Sequence, residues 1–273
     1  MKKNNLIAYQ GSIGSYSEEL LSLLYPEKNF LPCETFSDLI ENVKSKEILG
    51  LLPVENSIAG TVIEAYEELI DSNLKIYSEH IKKIDHSLIG LSNSRLEEIT
   101  RVISHPQALQ QCSKFIQNHN LKISPVFDTA GSVLEILNNN DKNLAAIAGN
   151  HFKSDNRLKI LKKNISNHLE NFTRFFLIGK ENFKINESSN KISSVLISDD
   201  KPGSLLKALN IFDYYQINLT KLESRPILGR PWEYKFYIDY QLINLEVQEK
   251  LTSEIKNTSK EFKILGHYPS ARK

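Results

Sequence analysis

Four times in its first 180 residues the chain repeats one arrangement: a short apolar run, a loop of small hydroxyl or amide residues, then a helix-like segment. The loops are Gln10-Gly11-Ser12-Ile13-Gly14-Ser15-Tyr16-Ser17-Glu18, Pro53-Val54-Glu55-Asn56-Ser57-Ile58-Ala59-Gly60-Thr61-Val62, Ser104-His105-Pro106-Gln107 and Asp128-Thr129-Ala130-Gly131-Ser132. Apolar runs at residues 6–9, 48–54, 101–103, 123–127, 144–147 and 175–178, alternating with polar helical segments, predict an α/β domain with a largely parallel sheet. In such sheets ligands bind at the carboxyl ends of the strands, where these loops fall. Each helix start adds unpaired backbone N–H groups and a partial positive charge. One such loop is an ordinary turn or cap; four together predict a cleft for a small polyanion.

Charge and composition exclude several classes. Lys and Arg number 34 against 33 Asp and Glu, a net charge of +1, which does not suit a general nucleic-acid or membrane binder. The local clusters Lys82-Lys83, Lys162-Lys163 and Arg272-Lys273 read as solvated faces. Two cysteines, Cys33 and Cys112, are too few for a disulfide framework or a tetrahedral metal cage, and the seven histidines show no ligand spacing. No metal and no cofactor are expected. The apolar stretch at residues 6–9 ends at Gln10-Gly11, too short for a signal peptide, and no run elsewhere spans a bilayer. The expected compartment is the cytoplasm.

The rhythm changes after about Gly179. Residues 183–190, within the polar stretch from Lys180 to Lys191, read as a linker between domains at 1–182 and 191–273. Beyond it, strands at 192–198, 217–222, 234–240 and 262–265 and helices at 204–215 and 245–258 give the order βαββαβ, a ferredoxin-like unit. Leu205, Leu206, Leu209 and Phe212 are expected on one face of the first helix, and Trp232 to Asp239 mostly in a core strand.

Asn171-Phe172-Thr173-Arg174-Phe175 opens an apolar strand. Alternation sends Thr173 and Phe175 to one face and Arg174 to the other. Arg174 suits a bidentate carboxylate or a loop-locking role, while Thr173 by spacing alone is equally a plain strand former. His105, before Pro106, reads as a cap more readily than a base, and Cys112 as a small buried residue.

These segments together resemble the prephenate dehydratase family. The carriers are Ser104-His105-Pro106-Gln107-Ala108-Leu109 with Gln111-Cys112, Asn171-x-Thr173-Arg174-Phe175 and Glu55-Asn56-Ser57. Pro202-Gly203-Ser204-Leu205 and Glu223-Ser224-Arg225-Pro226 resemble the regulatory ACT domain of that family. Ala8-Tyr9-Gln10-Gly11 through Glu18 is also similar to its arogenate dehydratase branch; Ala59 and Gly149-Asn150 depart from the common pattern.

The resemblance implies a two-lobed catalytic domain like a type II periplasmic binding protein, with crossovers near residues 75–89 and 143–161. It implies decarboxylative dehydration of prephenate to phenylpyruvate in phenylalanine synthesis, with Thr173 acting on the leaving hydroxyl. Ser15, Asn56, Ser57, Thr129 and Arg174 would bind substrate. L-Phenylalanine would bind as feedback inhibitor at Gly203, Ser204, Leu205, Asn218, Glu223 and Ser224, between paired domains of a homodimer or homotetramer. An arogenate dehydratase and a non-catalytic amino-acid sensor are the alternatives.

Overall fold

The computed structural model describes residues 5–126, 128–150, 155–180 and 189–271. Contacts divide the chain into two compact units, residues 1–66 with 81–175, and 67–80 with 176–273.

The first unit holds two sheets. Strands β1 (Leu6–Gln10), β2 (Asn29–Cys33) and β3 (Leu49–Asn56) pair in parallel, with β1 in the centre. A two-residue strand β4 (Gly60–Thr61) folds back on β3. Helices α1 (Tyr16–Leu24) and α2 (Phe36–Lys46) follow the first two strands. Their starts are locally encoded. Ser15 caps α1, and Thr35 with Asp38 forms a reciprocal capping box on α2. Helix α3 (Ile63–Ser72) and strand β5 (Lys75–Lys83) carry the chain into the second unit and back.

The second sheet of this unit contains β6 (Ser87–Leu91), β7 (Arg101–Ser104), β8 (Lys122–Pro125), β9 (Leu144–Ala148) and β10 (Leu158–Lys162), in the order β10-β6-β9-β7-β8. Helices α4 (Pro106–Gln111), α5 (Ser113–Asn118) and α6 (Gly131–Asn139) cover it. Period-two alternation divides the buried residues between two faces: Leu88, Val102, Ala145 and Ile147 pack with the α4–α5 residues Leu109, Cys112 and Ile116. Ile89, Ile103, Leu144 and Ala146 pack with Val133 and Ile136 of α6. Strands buried on both faces read as continuous apolar runs, which is why β7 and β9 are visible in the sequence, whereas β6 begins inside the stretch 75–89 expected as a crossover. The chain crosses to this sheet at residues 84–86 and returns after Lys162 to β11 (Phe172–Gly179), which lies beside β3. The stretch 143–161, expected as the return crossover, instead contains β9 and β10. Lys82 is paired with Glu19 at 3.1 Å and largely buried rather than solvated. Strands β2, β5 and β10 escape the apolar-run reading because Pro32 or alternating lysines interrupt them.

The second unit contains β12 (Lys191–Ile197), α7 (Ser204–Tyr214), β13 (Leu219–Ile227), β14 (Arg230–Gln241), α8 (Leu245–Thr258) and β15 (Glu261–Tyr268). Strands run β13-β14-β12-β15, and Gly266 of β15 then pairs with Ile76 of β5. A Cβ on Gly266 would stand 2.4 Å from the Ile76 carbonyl oxygen, so only glycine permits that approach. Ala208 and Phe212 of α7 pack against Leu251 and Ile255 of α8 and Ile238 of β14. Two expectations fail here. Leu206 is 61 % exposed, because it lies two residues, about 200°, from the buried Ser204-Ala208-Phe212 stripe. Trp232, at φ 68°, is 82 % exposed beside the β13–β14 turn; the strand becomes core only at Tyr237. Most of the expected 183–190 linker lies outside the described residues.

Candidate active site

A cavity of about 550 Å³ opens in the first unit where the loops after β1, β3, β7, β8 and β9 meet. Strand β11 begins where β3 ends: the Ser57 amide donates to the Phe172 carbonyl at 2.8 Å, and the Phe172 amide to Ser57 Oγ at 2.9 Å. A residue at the start of β11 is thereby delivered to the same cavity as the strand-end loops. Thr173 and Phe175 line it; Arg174, on the opposite face, is 6 % exposed and bonds Glu55 at 3.3 Å.

Asn56 sets the direction of the Thr173 hydroxyl. Its Oδ1 accepts from the backbone N–H groups of Ile58 and Ala59, both at 3.0 Å. Because backbone amides are only donors, the side-chain amide cannot be flipped, and Nδ2 must face the other way. There it donates to Asn171 Oδ1 at 2.7 Å and Thr173 Oγ1 at 3.0 Å. The Phe172 carbonyl, at 3.2 Å, is a third and longer acceptor on Nδ2; with Thr173 Oγ1 accepting from Asn56, the threonine's own proton is left for a group in the cavity.

The same logic continues outward. Asn171 accepts from Asn56, so its Nδ2 donates to Gln111 Oε1 at 3.0 Å. That oxygen is also 2.9 Å from His86 Nε2. His86 Nδ1 lies 3.1 Å from the Tyr16 hydroxyl, which bonds the Asp85 carbonyl as well. Burial lowers the His86 pKa, although the Gln111 bond and Asp85 oppose it, and burial pushes the Tyr16 phenol well above its usual range. Sequence reasoning does not single out Asn171, Gln111, His86 or Tyr16 as site residues. Gln111, Asn171 and Tyr16 lie inside the family motifs, which is a signal that could have found them; His86 carries no spacing signal.

The facing wall is built differently. Ser12 donates to Asp128 Oδ2 at 2.6 Å, and Asp128 Oδ1 accepts from the Gly131 amide at the start of α6. Thr129 lines the cavity, and its carbonyl accepts from Ser132. Ser15 lines it while capping α1, so the start of that helix faces the ligand space. Gly11, at φ 119°, is required by that loop: a Cβ there would also come within 3.1 Å of Ser15 Oγ. Asp128 is the one Asp, Glu, Lys or Arg among the described lining residues.

His105 lines the cavity and its Nδ1 accepts from the Gln107 amide at 3.2 Å, capping α4; burial lowers its pKa, with Asp128 opposing. Cys112 is fully buried and desolvation pushes its thiol up to about 12. Ser57 is exposed, bracing Phe172 rather than lining the cavity. Among the described residues no group of three or more His, Cys, Asp and Glu side chains has metal-binding proximity. In the second unit, Gly203 adopts φ 79° as the N-cap of α7, with Ser204 buried and Leu205 against the core. Asn218 and Ser224 are exposed, and Glu223 pairs with Lys221 at 3.0 Å and with Arg225.

A two-sheet α/β domain with a cleft at converging strand ends, followed by a βαββαβ unit, defines an enzyme-like ligand-cleft protein of type II periplasmic-binding-protein architecture. A family model described as prephenate dehydratase matches residues 7–183. The prephenate dehydratase of Methanocaldococcus jannaschii is 35 % identical over 273 residues, covering 97 % of this chain and 98 % of that one. An Arabidopsis thaliana protein named arogenate dehydratase/prephenate dehydratase 2, chloroplastic, is 34 % identical over 96 % of this chain and 72 % of its own. The chain belongs to the prephenate dehydratase family. Among solved structures, prephenate dehydratase from Arthrobacter aurescens in complex with L-Phe has a TM-score of 0.88 at 25 % identity, covering 97 % of this chain and 90 % of its own. A structure described as GqqA, a novel type of quorum quenching acylase, also has a TM-score of 0.88, at 29 % identity and 98 % coverage of both chains.

Proposed function

We propose that this protein is a prephenate dehydratase. The carrying observation is the Asn56–Thr173 bond, which leaves the threonine proton facing a cavity rimmed by helix starts. In the reaction the bond from the ring to its carboxylate breaks and its electron pair enters the ring. The ring hydroxyl departs with its C–O electrons and takes one proton, giving phenylpyruvate, carbon dioxide and water. Aromatisation drives it. The enzyme orients the dianion and assists the hydroxyl, to which Thr173 donates a hydrogen bond; positioned assistance of this kind is worth about 10²–10⁴-fold. Ser15 with the start of α1, and Thr129, receive the carboxylates. Ser57 and Arg174 act by holding the β3–β11 frame, through Phe172 and Glu55.

One observation favours a second reading, arogenate as substrate. Arogenate carries an ammonium where prephenate has a keto oxygen, and the Asp128 carboxylate at the cavity wall suits that ammonium.

The second unit is proposed as an ACT domain binding L-phenylalanine as feedback inhibitor near Gly203 and Ser204, shared between subunits of a homodimer or homotetramer. Its support is the helix start with a left-handed glycine and the L-Phe complex of the A. aurescens relative. Among the described residues no helix is long and apolar enough to cross a membrane; a cytoplasmic location is proposed, consistent with two free buried cysteines.

Steady-state assays with prephenate and with arogenate, each with and without phenylalanine, test the substrate and the inhibitor. Turnover of neither substrate sinks the proposal, and a much higher kcat/KM for arogenate installs the second reading. Glu223→Gln or Ser204→Ala is expected to relieve inhibition with turnover retained; unchanged inhibition removes that pocket.

A further inference from the structure

His86 is 3 % exposed and sits on the three-residue passage, residues 84–86, that joins the two sheets of the catalytic unit. Its two ring nitrogens face opposite ways. Nε2 meets Gln111, on α4 over the second sheet, and Nδ1 meets Tyr16, on α1 beside the first. The return passage closes around it: the Ile165 amide donates to the His86 carbonyl at 3.0 Å, and the Ile84 amide to the Asn171 carbonyl at 2.8 Å.

The direction of the amide bonds here is fixed from a backbone anchor. Ile58 and Ala59 amides orient Asn56, Asn56 orients Asn171, and Asn171 requires an acceptor from Gln111. With Gln111 Oε1 turned inward, His86 must place a proton on Nε2. Nδ1 is then the lone-pair side, and the single proton of the Tyr16 hydroxyl is divided between it, at 3.1 Å, and the Asp85 carbonyl, at 2.9 Å. Gln111 Nε2 in turn faces away from this chain of bonds; it has no protein partner among the described residues, and its side chain lines the cavity.

We propose that His86 is a positioning residue of the dehydratase: its neutral Nε2–H holds the Gln111–Asn171–Asn56 amides in the one arrangement that points the Thr173 hydroxyl proton at the substrate. His86 also lines the cavity, so direct proton exchange with substrate is the alternative that the variants must separate from positioning. A catalytic His86 and a positioning His86 therefore respond oppositely to glutamine. Glutamine carries an N–H₂ near the position of Nε2 and cannot titrate. Phenylalanine keeps the ring shape and loses the donor, and asparagine is too short to reach Gln111.

This inference rests on Thr173 as the residue acting on the leaving hydroxyl, and two measurements separate it from that reading. The first compares His86→Gln, His86→Phe and His86→Asn with wild type in prephenate and arogenate turnover. His86→Gln is expected within about threefold of wild-type kcat, and His86→Phe and His86→Asn lower by about tenfold or more with KM within about threefold, the scale of a misaligned catalytic group. Wild-type kcat in both His86→Phe and His86→Asn overturns the proposal, as does a His86→Gln enzyme as slow as the other two. Should His86→Phe not fold, the glutamine and asparagine pair makes the same distinction. The second measurement is the ¹⁵N spectrum of the imidazoles, with the His86 signals identified by their loss in His86→Gln. A neutral Nε2–H tautomer is expected, and an Nδ1–H tautomer overturns the chain of bonds even in an enzyme whose Thr173→Ala variant remains active.

Discussion

The two walls of the cavity are held by different means. On the wall formed by β3 and β11, side-chain amides lock one another in sequence, from the backbone N–H groups of Ile58 and Ala59 through Asn56 and Asn171 to Gln111 and His86. On the wall formed by the loops after β1 and β8, Ser12 meets Asp128, and Asp128 meets the Gly131 amide. The first wall orients a hydroxyl and, in the proposed mechanism, serves the chemical step. The second presents helix starts and a carboxylate, features that sort ligands by charge. A buried, directional network suits a task in which a small misalignment is costly; a charged rim suits recognition.

The largest break in this contrast is expected from Thr173→Ala, with kcat down by about 10²-fold or more and L-phenylalanine binding, read by calorimetry, intact. Near-wild-type turnover would remove Thr173 from its role. Asn56→Asp comes next and sharpens the comparison, because it keeps Oδ1 for the two backbone amides but sets an acceptor against Thr173. That acceptor captures the hydroxyl proton, so a loss of about 10- to 100-fold in kcat is expected, as large as for Asn56→Ala. A fully active Asn56→Asp enzyme would show that the hydroxyl's direction does not matter.

On the other wall, Asp128→Asn is expected to change selectivity more than rate. The ratio of kcat/KM for arogenate to that for prephenate should fall by about tenfold, the worth of one hydrogen bond to a charged group. An unchanged ratio would deny Asp128 any part in sorting the two substrates.

The smallest effect concerns pH. His86 is buried with its pKa lowered, so the unfolded chain binds more protons than the folded one as pH falls below about 6.5. Stability contributed by the neutral ring is present above that value and declines as pH falls toward the folded-state pKa. Desolvation lowers His80, His105 and His267 in the same direction. The midpoint of thermal unfolding should therefore drop from about pH 7.5 to about pH 5.5, and His86→Gln should show a shallower drop. Parallel curves would mean that His86 does not contribute to the pH dependence.

Much of this is readable along the chain, and the reasons are local. The apolar runs of β1, β3, β7 and β9 announce strands buried on two faces, and His105-Pro106 announces the start of α4. Alternation alone separates Thr173 from Arg174. Strands β5 and β10 escape notice because their lysines break the apolar pattern while alternate residues still pack inward. Trp232 misleads because an aromatic residue at a strand start is core only if the next turn covers it, and here the exposed turn at Leu228 and Gly229 does not.

What the sequence determined by itself is what neighbours in the chain can enforce: element types, the caps, the face each strand residue takes, and, through its motifs, the family. What only the tertiary structure decided is which polar groups meet. Asn56 and Thr173 are 117 residues apart, and Ser12 and Asp128 are 116 apart. No periodicity records such a pairing, because hydrogen-bond direction is set only when the last partner is in place. In the proposed mechanism a threonine becomes a directed donor, and a histidine its distant support, only once β11 lies against β3 and the crossover at residues 84–86 is packed between two helices.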